Sequence, residues 1–249
     1  MSLRHTGSVD EVADVDVAAV AAVMGDRARC AMLHALLDGS ERPAGELARA
    51  AGVSAPTASG HLRRLVDAGL IQVRARGRHR YYVLSGPLVA AALEAIALVA
   101  PPVPVRSLRQ SRAASALIEA RSCYDHLAGR AGVAVRTALL EAGALAPDGL
   151  HDHRLTERGY GLLAELGVEI DSFQHSRRVF ARDCLDWTER RPHLAGALPA
   201  ALLDHFVRMR WLVRRRNDRG LVVTDLGRDN LACLGRDRMT PSPTAVRVS

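Results

Sequence analysis

The stretch Val53-Ser-Ala-Pro-Thr-Ala-Ser-Gly-His-Leu-Arg-Arg-Leu-Val-Asp-Ala-Gly-Leu-Ile71 decides how the first hundred residues fold. Ser54 offers a capping oxygen, Pro56 suits a first helical turn, and Gly69 can stop a helix that runs to about Asp67. Leu62, Leu65 and Val66 recur at helical spacing and face inward, which leaves Thr57, Ser59, His61 and Arg64 on the outer side. Upstream, Pro43 opens a shorter helix with Leu47, Ala48 and Ala51 on its apolar face, and Gly52 ends it. Downstream the period changes. Ile71, Val73, a turn at Gly77 and Tyr81-Tyr-Val83 predict a two-stranded hairpin whose tip, Arg74 to Arg80, carries four Arg and one His.

Working outward, Val15 to Leu37 predicts two helices parted by Gly25-Asp26, and Leu88 to Ala100 predicts another. That last segment is almost entirely Ala, Leu, Ile and Val, so it needs apolar cover on most sides, which a second subunit could supply. Two helices joined by Ala-Gly-Val-Ser and followed by a basic hairpin are the parts of a winged helix-turn-helix. Either part alone is unremarkable, because helical corners and solvated Arg-rich turns are common. Their order and spacing point to double-stranded DNA, with the second helix in the major groove and the hairpin as a wing. The expected DNA contacts are Ser54, Thr57, Ser59, His61 and Arg64 on the helix, with Arg76, Arg78 and Arg80 in the wing.

These segments resemble the ArsR/SmtB family of winged-helix repressors. The likeness is carried by Met24-Gly-Asp-Arg-Ala-Arg-Cys-Ala-Met-Leu-His-Ala-Leu-Leu37, Glu46-Leu-Ala48, Val53 to Ile71, and Gly77-Arg-His-Arg-Tyr-Tyr-Val-Leu84. It covers about residues 15–100. It implies a homodimer that occupies an operator and leaves it when an effector binds. Many metal-sensing members carry Cys-x-Cys-x-Asp-Leu at the start of the first helix of the pair. Glu41-Arg-Pro-Ala-Gly-Glu-Leu47 stands there instead, so the resemblance does not extend to a metal sensor of that kind. Cys30 falls on an apolar helical stripe and is expected to pack in the core.

Bulk properties fit a soluble regulator. The 249 residues are 48% apolar, 24% charged and only 4% aromatic, with a formal charge of +7 and no Lys, so every basic side chain other than His is Arg. Such a balance suits a polyanionic partner, although a bias toward Arg and Ala weakens that argument. Four widely spaced cysteines without a CxxC argue against a secreted disulfide scaffold. No signal-peptide pattern or membrane-length apolar run is present, so the expected location is the cytoplasm.

Pro101, Pro102 and Pro104 mark a linker over 101–108. Beyond it, three blocks recur in the same order. Ala120-Arg-Ser-Cys-Tyr-Asp125 matches Ala181-Arg-Asp-Cys-Leu-Asp186, and His126-Leu-Ala-Gly129 matches His193-Leu-Ala-Gly196. Leu155-Thr-Glu-Arg-Gly159 and Leu163-Ala-Glu-Leu-Gly167 match Val223-Thr-Asp-Leu-Gly227 and Leu231-Ala-Cys-Leu-Gly235. We read residues 109–237 as a duplicated effector or interaction domain, with copies at about 112–170 and 173–237 and extra residues, largely Trp187 to Pro192, in the second. Each copy is expected to hold its Cys on a helix, followed by a second helix (133–142 and 198–209), a short hairpin and a closing helix. The expected fold class is therefore mainly α with short β-hairpins, a winged helix-turn-helix domain followed by two winged-helix-like repeats. Residues 238–249 should form a flexible tail.

Cys123, Asp125 and His126 in one copy mirror Cys184, Asp186, Trp187 and His193 in the other. Packing about a pseudo-twofold would bring Cys123 and Cys184 near a common centre. These residues are candidates for a small-molecule, redox or metal effector, while buried packing explains the cysteines equally well. DNA binding itself needs no cofactor. His151 and His153, flanking one acidic residue, are weak candidates. Arg214-Arg-Arg216 with Arg219 is expected to be a solvated face or at most a secondary phosphate contact. The leading expectation is an effector-responsive homodimeric repressor and not an enzyme. The rivals are a redox or metal sensor using Cys123 and Cys184, a cysteine-dependent enzyme fused to a DNA-binding domain, and a nucleoid protein without sequence choice.

Overall fold

The computed structural model describes residues 14–169, 178–215 and 218–234. The expected tail over 238–249 and the side chain of Arg216 lie outside these residues. The first domain begins with α1 (Val17–Met24) and α2 (Arg27–Ala35), capped by Asp16 and Asp26. Strand β1 (Arg42–Pro43) leads into α3 (Ala44–Ala51), so Pro43 precedes the helix and pairs with Tyr81. Gly52 then turns the chain with φ +65°, a left-handed conformation that costs glycine little. Helix α4 (Ala55–Asp67) follows, and Ser54 accepts from the Thr57 amide as anticipated.

Strands β2 (Ile71–Arg76) and β3 (His79–Leu84) form the hairpin in register from Ile71↔Leu84 to Arg76↔His79, and β1 adds to its β3 edge. Helix α5 (Pro87–Val99) closes the domain. Leu33, Leu36, Leu47, Leu62, Leu65, Ile71, Leu84 and Leu93 build one core, every one of them from the apolar faces of these elements.

After α6 (Leu108–Glu119), an order of two short strands, a helix, two short strands and a helix occurs twice. The first run is β4 (Arg121–Cys123), β5 (His126–Ala128), α7 (Gly129–Glu141), β6 (Leu145–Pro147), β7 (Asp152–Leu155) and α8 (Glu157–Leu166). The second is β8 (Ala181–Leu185), β9 (Pro192–Ala195), α9 (Ala197–Arg208), β10 (Leu212–Arg214), β11 (Leu221–Val223) and α10 (Asp225–Ala232). Strands β6-β7-β8-β9 join both runs in one antiparallel sheet, and a single core holding Leu139, Leu163, Leu198, Phe206, Trp211 and Leu221 spans them.

Two expectations are corrected. Cys123 and Cys184 lie on strands, not helices: each belongs to a hairpin in which it pairs directly with a histidine, Cys123↔His126 and Cys184↔His193. The architecture is consequently mixed α/β, not mainly α. The repeated His-Leu-Ala-Gly serves the exit from each hairpin. Gly129 (φ +78°) and Gly196 (φ +121°) turn the chain into the next helix, and a Cβ on either would lie 2.7 Å from the carbonyl oxygen of Ile118 or Val179.

The two domains touch through specific groups. The Tyr124 amide donates to Leu37 O at 2.6 Å, and its ring packs on the first core. Glu94 on α5, only 2% exposed, pairs with Arg121 (3.7 Å) and with Arg219. Arg219 therefore does not form a solvated face. It neutralises a buried carboxylate, which must be paired to be tolerated.

Candidate functional site

The outward face of α4 is small and polar. Ala55, Pro56, Thr57, Ser59, Gly60, Arg63 and Arg64 are exposed, while Ala58, Leu62 and Leu65 are buried. Ser59 hydrogen-bonds back to Ala55 O, and Ser54 and Thr57 share a hydroxyl contact of 2.8 Å, so the first turn is well ordered. A Cβ at Gly60 would meet open space, so nothing bulky stands between the helix axis and an approaching surface there.

His61 departs from this face. Its side chain is 16% exposed and its Nδ1 lies 3.6 Å from Asp26, the cap of α2. The i+4 ridge on which it sits turns toward α2, and Arg63 occupies the outer position that sequence reasoning left unassigned. In the wing, Arg74 and Arg76 both pair with Glu41, at 2.6 and 2.8 Å. Arg78 and Arg80 are exposed and have no ion pair among the described residues. The wing thus carries two guanidinium groups on β2 that share one carboxylate and two, at the turn and on β3, that have no ion pair among the described residues.

The second cluster is buried apart from Cys184, which is half-buried. Cys123 and His126 project from one face of the β4–β5 hairpin, and Cys184 and His193 from the equivalent face of β8–β9. One donor atom from each of the four lies within 4.8 Å of every other, a set that could hold a metal ion. The two imidazole rings stand 5.2 Å apart between centroids. His193 is 0% exposed, and neither its Nε2 nor that of His126 has a hydrogen-bond partner among the described residues.

Each ring has a carboxylate on its other side. Asp125 Oδ1 is 3.3 Å from His126 Nδ1, and Asp186 Oδ2 is 3.3 Å from His193 Nδ1. Asp186 is further fixed by Arg121 (3.1 Å), the Gly129 amide (2.7 Å) and the Thr188 hydroxyl (2.6 Å), and Asp125 by Arg178 (2.7 Å). Burial pushes both carboxyls up, but the histidine and arginine partners outweigh it and hold them below the usual carboxylate range. Between the sulfurs, the Cys123–Cys184 hydrogen bond draws the Cys184 thiol down and the Cys123 thiol up, and His126 and His193 lower Cys184 further. Burial lowers His193, and Asp186 and Cys184 reverse that into a net rise.

Of the expected effector residues, six converge here, four as donors and two as supporting carboxylates. Trp187 does not; its ring lies under the Arg121 guanidinium, 4.9 Å from the centroid. Sequence reasoning missed Arg121, although its fully buried side chain ties Asp186 to Glu94. His153 is buried in β7 and bonded to Asp183 at 2.7 Å, away from the donors, and His151 is exposed. Cys30 is half-buried in α2 and lies outside the buried core expected for it, and burial pushes its thiol up. A cavity of about 210 Å³ reaches the sulfurs of Cys123 and Cys184 from the start of α5, bordered by Pro87, Leu88 and Arg182.

Comparison with known proteins covers the stretches of sequence that hold both sites. Residues 24–74 match the family model described as a helix-turn-helix domain. The uncharacterised HTH-type transcriptional regulator YdfF of Bacillus subtilis (strain 168) is 40% identical over 213 residues, 86% of this chain and 94% of the relative. Similarity of that length takes in much of the C-terminal domain as well as the winged helix. Among solved structures, reduced HlyU from Vibrio cholerae is 28% identical over 34% of this chain and 88% of its own, with a TM-score of 0.31. The homodimeric winged helix-turn-helix domain of a possible ArsR-family regulator from Mycobacterium bovis is 31% identical over 33% of this chain and 76% of its own, also with a TM-score of 0.31. The chain belongs to the HTH-type transcriptional regulators.

Proposed function

We propose that this regulator works as a homodimeric, effector-responsive repressor in the cytoplasm. Among the described residues no helix is long and apolar enough to cross a membrane. Helix α4 enters the major groove with Thr57, Ser59, Arg63 and Arg64 toward base edges and phosphates, while the wing tip brings Arg78 and Arg80 to the backbone or minor groove. The carrying observation is the outer face of α4: small, polar, open at Gly60, and followed in the chain by two exposed wing arginines with no ion pair among the described residues. His61 and Arg76 contribute less directly, since each already faces a carboxylate of its own domain.

Dimerisation uses α1 and α5, which leave Val17, Val20, Leu88, Ile96 and Val99 exposed. Such a set of large apolar side chains on two helices is costly in water and suits a second copy. Residues 15–100 then form the reading and dimerising domain, and 109–237 a duplicated effector domain. Duplication accounts for the matched motifs, the doubled element order and the paired Cys–His hairpins together.

The test is to select bound duplexes from fragmented chromosomal DNA and compare the best with a scrambled duplex at fixed salt. A sequence-reading regulator should prefer its site by about 10³-fold or more. Equal affinity for both would overturn the reading in favour of a nucleoid protein.

A further inference from the structure

We propose that Cys123, His126, Cys184 and His193 hold one thiophilic divalent cation of the zinc class in a closed, four-ligand site. Each hairpin supplies one sulfur and one imidazole from a directly opposed cross-strand pair, so the donor set is fixed by register and not by flexible loops. The four donors already lie within 4.8 Å of one another, the scale on which a tetrahedral ion gathers its ligands. Two sulfurs with two nitrogens favour zinc, cobalt or cadmium over magnesium or calcium, which prefer oxygen.

The histidines give the second, independent argument. A buried imidazole nitrogen without a partner costs about 1–3 kcal/mol, and this cluster holds three among the described residues, Nε2 of His126 and both ring nitrogens of His193. Both rings carry a carboxylate near Nδ1, at 3.3 Å in each case. The hydrogen bond to Asp125 keeps the His126 proton on Nδ1 and leaves its Nε2 lone pair for a metal, the arrangement by which outer carboxylates orient histidine ligands; Asp186 stands at ion-pair distance from His193 Nδ1, placed for the same role. A Cys123–Cys184 disulfide would consume the sulfurs and leave both Nε2 atoms unsatisfied; an ion satisfies all four donors at once. The cavity beside α5 gives an ion a route to the sulfurs. Four protein ligands leave no open position, so the site holds its ion without activating a substrate.

Binding of the ion stands apart from the DNA-binding reading, whereas its use as a signal rests on it. The full chain, purified under reducing conditions and stripped with a chelator, is titrated with Co²⁺ and then with Zn²⁺. One Co²⁺ per chain should give the intense visible bands of a tetrahedral thiolate site, and Zn²⁺ should erase them. Cys184→Ser and His193→Gln should remove the tetrahedral signature, and Cys233→Ser, at an exposed thiol outside the cluster, should keep it. Asp125→Asn keeps every ligand and should weaken binding by roughly 10- to 100-fold, which guards against a ligand variant that fails to fold. A weak octahedral Co²⁺ spectrum, a spectrum unaltered in Cys184→Ser, or a Cys123–Cys184 disulfide that excludes the ion would overturn the proposal. Operator affinity is measured on the stripped protein in parallel. DNA binding without metal uptake would sink this site alone, and metal uptake without DNA binding would sink the regulatory reading alone.

Discussion

Replacing Arg78 and Arg80 together with alanine separates the two halves of the wing. Both side chains are exposed and lack an ion pair among the described residues, while Arg74 and Arg76 share Glu41 at 2.6 and 2.8 Å. Each Arg–phosphate contact on duplex DNA releases counterions and adds about 0.9 to the slope of log affinity against log salt. Two arginines per subunit in a dimer therefore carry about 3 to 4 of that slope. Fluorescence anisotropy with a labelled duplex over a salt series reads the slope directly. Arg78→Ala/Arg80→Ala should flatten it by that amount and weaken specific and scrambled duplexes alike, because phosphate contacts carry no sequence information. The Arg74→Ala/Arg76→Ala variant should change the slope by about half as much, roughly 2, since the one Glu41 carboxylate offsets one of the two charges in each subunit. An unchanged slope in the Arg78/Arg80 variant would refute the wing assignment. Equal losses in the two variants would refute the division between Glu41-paired and unpaired arginines.

Three further outcomes are expected. Glu94→Gln leaves Arg121 and Arg219 without their shared carboxylate charge, and urea unfolding should show a loss of about 3–5 kcal/mol; a loss below about 1 kcal/mol would mean the network is relaxed by water. Gly132→Ala drives a methyl into the Leu127 carbonyl oxygen behind the β4–β5 hairpin, so it should cost about 3 kcal/mol in the same assay and weaken Co²⁺ uptake with it. Ile96→Asp/Val99→Asp places charges on the exposed face of α5, and sedimentation should show monomers where the parent chain shows dimers.

The winged helix was legible because its signals are local. Ser54, Gly52, Gly69 and Gly77 punctuate elements long enough to display their period, and all of them act within a few residues. The C-terminal hairpins are a different case. Strand β4 has three residues, too few for alternation to show, and it follows helix-forming Ala-Leu-Ile-Glu directly, so Cys123 looked helical. The spacing Cys-Tyr-Asp-His held the missing signal. Two residues between a Cys and a His close a tight hairpin and set the pair side by side, and the His-Leu-Ala-Gly repeat marked the same place in the second run. Arg121 and Arg219 gave no signal at all. Their partner Glu94 lies on another domain, and no local pattern distinguishes an arginine that will be buried from one that will be solvated.

That arginine pair also decides where the two sites can influence each other. From the thiol–imidazole cluster, His193 meets Asp186 at 3.3 Å, Asp186 meets Arg121 at 3.1 Å, and Arg121 meets Glu94 at 3.7 Å. Glu94, Ala90 and Leu93 form the inward face of α5, and Leu88, Ile96 and Val99 form its outward one. One helix therefore meets the C-terminal charges on one side and offers the proposed dimer surface on the other. An ion in the cluster changes operator affinity only if it favours one setting of α5 over another, because equal affinity for both shifts nothing. A fiftyfold change needs a difference of about 2.3 kcal/mol, well within what one buried carboxylate shared between two guanidinium groups can redistribute. The coupling is thus an electrostatic question about Glu94, and the cluster and the wing need never touch.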